Sequence, residues 1–103
     1  MWVMVATAYT LSCDGCTGLP ASERFAPAGS LTVAASPEWA FGTCLEARLD
    51  GRHWTRLSVE DRGSAIDRPD ELDILVSSRA VAVAWGRRTI HVRYCDDFTQ
   101  ERP

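Results

Sequence analysis

The sequence predicts a mostly β chain, a small six-stranded barrel with one or two short helices. Three observations carry that reading. Short runs rich in β-branched and aromatic residues recur along the chain, each bounded by Gly, Pro, Asp or Ser. Thr89 to Tyr94 (TIHVRY) alternates apolar and polar residues with the period of a half-buried strand. One segment alone, Ser77 to Trp85, has a helical character of its own.

In chain order, Val3 to Thr10 is the first strand, loosely alternating and dense in β-formers. Ser12 to Gly29 is punctuated by Gly15, Gly18, Pro20 and Pro27 and reads as a long loop. Leu31 to Ala35 is a short apolar run between Gly29-Ser30 and Ser36-Pro37, as expected of a buried strand. Cys44 to Leu49 and His53 to Val59 flank Asp50-Gly51, the strongest hairpin signal in the chain. Leu72 to Val76 is a fifth strand. Ser77 or Ser78 would cap a helix that Gly86 stops, and Thr89 to Tyr94 closes the set. Asp96 to Pro103 reads as a polar tail.

A length of 103 residues accommodates one domain, 1–103, around a single modest core. With 46% hydrophobic and 24% charged residues, disorder is not indicated. The net charge of −3, with no basic face, argues against nucleic acid as a partner. No run is long enough to cross a membrane. The opening MWVMVATAYT lacks a cationic start, apolar core and cleavage site. That pattern predicts a mature form or a protein that reaches its target without its own signal.

Four cysteines, Cys13, Cys16, Cys44 and Cys95, allow three disulfide connectivities if all are paired. Zinc would need a second close-spaced pair or a His at ligand spacing, and neither is present. Disulfides or free thiols therefore rank ahead of a metal, and a redox role for Cys13-x-x-Cys16 lacks a βαβ context. His53 and His91 read as surface or packing residues, and Ser22 and Ser64 lack the partners of a nucleophile. No cofactor is called for.

The stretch Val59 to Val76 (VEDRGSAIDRPDELDILV) places one carboxylate, Asp61, at the end of a strand. A second, Asp73, stands at the start of the next. A carboxylate beside buried strand residues costs free energy unless it is paired, hydrogen-bonded or protonated. Asp61 and Asp73 are therefore better site candidates than Asp67 and Asp70 between them. The competing reading of Asp73 is a strand-end carboxylate tied to backbone amides, which would lower its pKa. Trp39, Trp54 and Trp85 are each candidate sugar platforms or core residues, with Trp39 the best platform because it precedes Phe41-Gly42.

The same stretch resembles the three-aspartate (3D) domain, whose signature reads approximately D-T-G-G-A-I-K-G, a gap, then D in a strand. VATAYTLSCDGCTG is similar to that family's opening segment, LTVAASPEWAFGTCLEA to its V-A-V-D-P and G-T-x-L pieces, and RAVAVAWGRRTIHVR to its closing pattern. Together they run from about Val5 to Tyr94 in the family's order. The resemblance implies a double-psi β-barrel related to membrane-bound lytic transglycosylase A, acting on peptidoglycan glycan strands. It implies that Asp73 is the catalytic acid/base and Asp61 a second site aspartate, with Gly63, Ser64, Ser36 and Trp39 lining the substrate groove. Ser36 stands at the family's first aspartate, Arg62 and Ser64 depart from the small-residue turn, and Asp67-Arg68 replaces Lys-Gly.

Two functions follow. One is a lytic transglycosylase forming 1,6-anhydro-muramyl ends, carried by a bacteriophage tail or acting as a lysis protein. The other is a catalytically inactive structural or glycan-binding barrel of a phage tail or cell-wall protein. Either implies a location in a virion or in the bacterial cell wall or periplasm, with phage tail proteins as further partners.

Overall fold

The computed structural model describes residues 1–12 and 17–95. Its strands are β1 (Trp2–Tyr9), β2 (Ser30–Ala35), β3 (Cys44–Arg48), β4 (Trp54–Asp61), β5 (Glu71–Leu75) and β6 (Arg88–Tyr94). One helix, α1 (Arg79–Trp85), precedes β6. The strands close into a barrel in the order β1-β5-β2-β4-β3-β6. β1 runs parallel to β5 and β2 parallel to β4, while the other four neighbouring pairs are antiparallel. The expected mostly β barrel is what the chain forms.

Alternation builds the interior. Met4 and Ala6 of β1, Leu45 and Ala47 of β3, Leu57 and Val59 of β4, Leu72 and Ile74 of β5, and Ile90 and Val92 of β6 all point inward. Each large aliphatic among them contributes about 1.5–3 kcal/mol by leaving water. The small inward residues Ala6, Ala35 and Ala47 offset the bulk of Met4, Leu45 and Leu57, as expected of a six-stranded barrel closing around one core. Trp2 and Trp39 stack at 6.0 Å, with Tyr94 tilted against both, and the two indoles pack on the core.

Other elements shift by one or two residues from the sequence reading, and both ends of β4 differ for identifiable reasons. β4 begins at Trp54, not His53, because Asp50 Oδ1 accepts hydrogen bonds from the backbone N–H groups of Arg52 and His53. Those bonds hold the chain in the turn for two more residues. At its other end β4 runs on to Asp61, because the register against β2 shifts after Val33, passing over Glu60, and lets Ala34 pair with Asp61. The helix forms as its caps predict: Ser78 Oγ accepts from Val81 N–H, and Gly86 takes φ 69°. Trp85 fastens it to β1 by donating from Nε1 to the Ala6 carbonyl at 3.0 Å.

Cys44 and Cys95 form a disulfide with Cα atoms 5.5 Å apart. The pair extends the β3–β6 ladder one step beyond Leu45 and Tyr94, and Cys95 N–H donates to the Cys44 carbonyl. Cys13, Cys16 and the predicted tail from Asp96 to Pro103 lie outside the described residues.

Candidate functional site

Register brings the two sequence-predicted carboxylates to one level of the barrel. Ala34 of β2 is the cross-strand partner of Asp61 on one side and of Asp73 on the other, and Asp73 in turn faces Thr7 of β1. Asp61, Ala34, Asp73 and Thr7 thus form a row across four adjacent strands. With two strand spacings between them, the Asp61 and Asp73 backbones lie roughly 10 Å apart.

The row lies on the outer face of the barrel wall, with Ala34 and Asp61 covered there. Leu72 and Ile74 flank Asp73 and fill the core, so Asp73 itself faces outward, half-buried. Thr7 Oγ1 donates to Asp73 Oδ1 at 2.9 Å, and no backbone amide among the described residues does so. This differs from the amide-tied arrangement that would have lowered the pKa. Burial pushes the Asp73 carboxyl above the usual carboxylate range, the Thr7 hydrogen bond offsets part of that, and the Asp61 charge adds to the rise. A carboxyl in this position holds its proton to a higher pH than an exposed one.

Asp61 is the anchored member of the pair. Only 7% exposed, it accepts three hydrogen bonds: Oδ2 from the Tyr9 hydroxyl at 2.6 Å, and Oδ1 from the backbone N–H groups of Ala21 and Arg62, both at 2.8 Å. Burial, the Asp61 hydrogen bond and the charges of both aspartates push the Tyr9 phenol far up, so it stays protonated as a donor. The Arg62 guanidinium is directed elsewhere. It donates to the carbonyls of Asp61 and Trp39 and lies 4.1 Å over the Phe41 ring, clamping the loop after β2 to the end of β4.

The remaining predicted residues take different stations. Gly63 opens the turn after Asp61, where Ile66 N–H bonds back to its carbonyl. A Cβ at Gly63 would come 3.1 Å from Ile66 Cγ1, so the tight turn explains the glycine. Ser64 is exposed on the outside of that turn. Ser36 is wholly buried at the end of β2 and donates to Glu38 Oε2 at 3.2 Å. Trp39 packs against Trp2 and donates from Nε1 to the Pro69 carbonyl.

Thr7 and Tyr9 are the functional side chains that the sequence reading missed. Their signal was in VATAYT, where hydroxyl residues alternate with Ala6 and Ala8 and so share one strand face. Tyr9→Phe should leave Asp61 Oδ2 without its donor and destabilise the fold by about 1–3 kcal/mol, a loss that thermal or urea melts would read. A melt indistinguishable from that of the unmodified protein would remove Tyr9 from the site.

Among the described residues, the surface depressions include a smaller and a larger one. The smaller, about 260 Å³, is bounded by Tyr9, Thr10 and the α1 residues Arg79, Ala82 and Val83; it includes Tyr9, the donor to Asp61, but neither aspartate. The larger, about 680 Å³, lies away from Asp73 over β3 and β4. Among the described residues no group of three His, Cys, Asp or Glu side chains is gathered as a metal site, and no helix is long and apolar enough to cross a membrane. Compared with known protein families and with curated proteins, the chain matches no family model and no curated sequence.

Proposed function

We propose that the chain is a peptidoglycan-cleaving lytic transglycosylase of the three-aspartate-domain type, with Asp73 as its general acid and base. The observation that carries this reading is the Asp73 carboxyl. It is half-buried on the barrel's outer face, supported by a single hydroxyl from Thr7, and raised in pKa with Asp61 near it. A group that must begin a reaction protonated near neutral pH needs such a shift. The two parallel pairs, β1 with β5 and β2 with β4, support a double-psi arrangement of the barrel.

In the proposed reaction the Asp73 carboxyl gives its proton to the glycosidic oxygen as the bond from C1 of N-acetylmuramic acid breaks. The resulting carboxylate takes the proton of that sugar's 6-hydroxyl, whose oxygen attacks C1 and closes a 1,6-anhydro ring. No water is consumed, and the acid is restored. The nucleophile belongs to the substrate, so one carboxyl suffices where ordinary glycosidases need two at a set separation. Burial is the main cause of the raised Asp73 pKa, and Asp61, fixed by Tyr9, Ala21 and Arg62, adds a smaller push in the same direction.

A second reading has its own observation. The residue where the resemblance places an aspartate, Ser36, is a buried hydroxyl that carries no charge, and the carboxylate it donates to belongs to the exposed Glu38. That favours an inactive barrel that binds glycan or serves as a structural module, in a phage tail or in the cell wall. The Cys44–Cys95 disulfide supports an oxidising location such as a virion or periplasm under either reading. Purified sacculi incubated with the protein separate the two: release of anhydro-muropeptides carries the enzyme, and sedimentation with sacculi without release carries the binder.

A further inference from the structure

We propose that the larger cleft, over the outer face of β3 and β4, is a binding site for a carboxylate-bearing saccharide, separate from Asp73. Its volume of about 680 Å³ lies within the range of small-ligand pockets, about 300–1,000 Å³. Trp54 borders the cleft, Ser30, Thr55 and Ser58 bring hydroxyls to the lining, and Glu46 and Arg56 supply charge. This end of β2 and β4 is the one remote from Asp61.

The charges around the cleft do not cancel. Glu46 sits between Arg56 and Arg93 in register, but its close partner is Arg93 at 2.9 Å, while Arg56 reaches it only through Nε at 3.8 Å. The terminal nitrogens of Arg56 donate no hydrogen bond among the described residues. Arg48 adds a third cation, stationed 4.6 Å from the Trp54 ring centre, and its buried Nε has no hydrogen-bond partner there. Arg93 stands 3.9 Å over the same ring. The nearby Glu60 is already committed to Ser22, Ser58 and Arg24. Two guanidinium groups, those of Arg56 and Arg93, thus share the Glu46 carboxylate, and Arg48 stands beside them on Trp54. A planar carboxylate on the ligand suits the free fork of Arg56. The hydroxyl-bearing side chains Ser30, Thr55 and Ser58 in the lining suit the hydroxyls of a sugar ring.

The test is a titration of the full chain with N-acetylmuramic acid and with N-acetylglucosamine, which differ by the lactyl carboxylate, read by calorimetry and amide shifts. The acid sugar should bind at least about tenfold more tightly, as expected for one charge-assisted contact. Arg56→Gln should remove that difference and Arg56→Lys should restore part of it. Amide shifts should centre on Ser30, Thr55 and Ser58. Equal affinity for the two sugars, no binding of the acid sugar, or an unchanged affinity in folded Arg56→Gln would overturn the proposal. So would shifts confined to Thr7, Tyr9 and Asp73, or tighter binding of inorganic phosphate than of the acid sugar. No turnover enters the measurement, so its failure is distinct from failure of the proposed enzymatic reading.

Discussion

Asp73→Asn is expected to abolish release of anhydro-muropeptides while leaving the barrel folded. The amide nearly matches the carboxyl in shape and can still accept from Thr7, but it cannot give a proton and then take one back. Loss of general acid–base assistance costs on the order of a hundred- to ten-thousand-fold in rate. Asp61→Asn should cost less, since its charge only biases Asp73. The pH dependence has a definite sign. The reaction starts from protonated Asp73, so the rate should fall as pH rises through its raised pKa. Stability follows the same direction. Because the folded pKa lies above the unfolded one, the extra stability is full below the unfolded value and is lost as pH rises through the folded value. Asp73→Asn should remove that decline, so melts at several pH values check the burial independently of activity. Undiminished anhydro-sugar release by folded Asp73→Asn would end the assignment.

Much of the barrel was legible because its strands obey local rules. Alternation in TIHVRY, the Asp50-Gly51 turn and the Ser78 and Gly86 caps each act over a few residues, and each appears close to where the sequence put it. The two errors at the ends of β4 differ in kind. The Asp50 side chain holding His53 back is a short-range turn contact. The register shift against β2 that draws Asp61 into the ladder is a pairing that no local pattern encodes. The site divides the same way. Asp61 and Asp73 stood out as acids beside apolar strand residues. Their joint level depends on Ala34, and the hydroxyls that complete the site come from β1, some fifty to sixty-six positions away in sequence. Parallel pairing of β1 with β5 puts Thr7 beside Asp73, and pairing across such a distance leaves no mark on either segment. The cleft was invisible for a related reason. Arg56, Glu46 and Arg93 become neighbours only when β4, β3 and β6 lie side by side.

Loss of the Cys44–Cys95 bridge is expected to be the largest single change in stability. The two residues are 51 positions apart, and closing a loop of that length in the unfolded chain is worth about 4 kcal/mol on the loop-entropy account. That is a large share of the roughly 5–15 kcal/mol by which domains are stable, and close to a thousandfold in the folding equilibrium. Its position adds to the effect. The bridge ties the start of β3 to the end of β6, where the β3–β6 ladder stops and Tyr94 is exposed. Cys44→Ala with Cys95→Ala should therefore lower the melting temperature by roughly 15–30 °C for a domain of this size. Cys44 also lines the larger cleft, so the same variant should bind the acid sugar more weakly. Reductant should lower the melt of the unmodified protein by a comparable amount. Any further response to reductant in the double variant reports on Cys13 and Cys16 alone. A double variant that melts within a few degrees of the unmodified protein (roughly 1 kcal/mol) would show that the strand ladder, and not the bridge, holds the barrel closed.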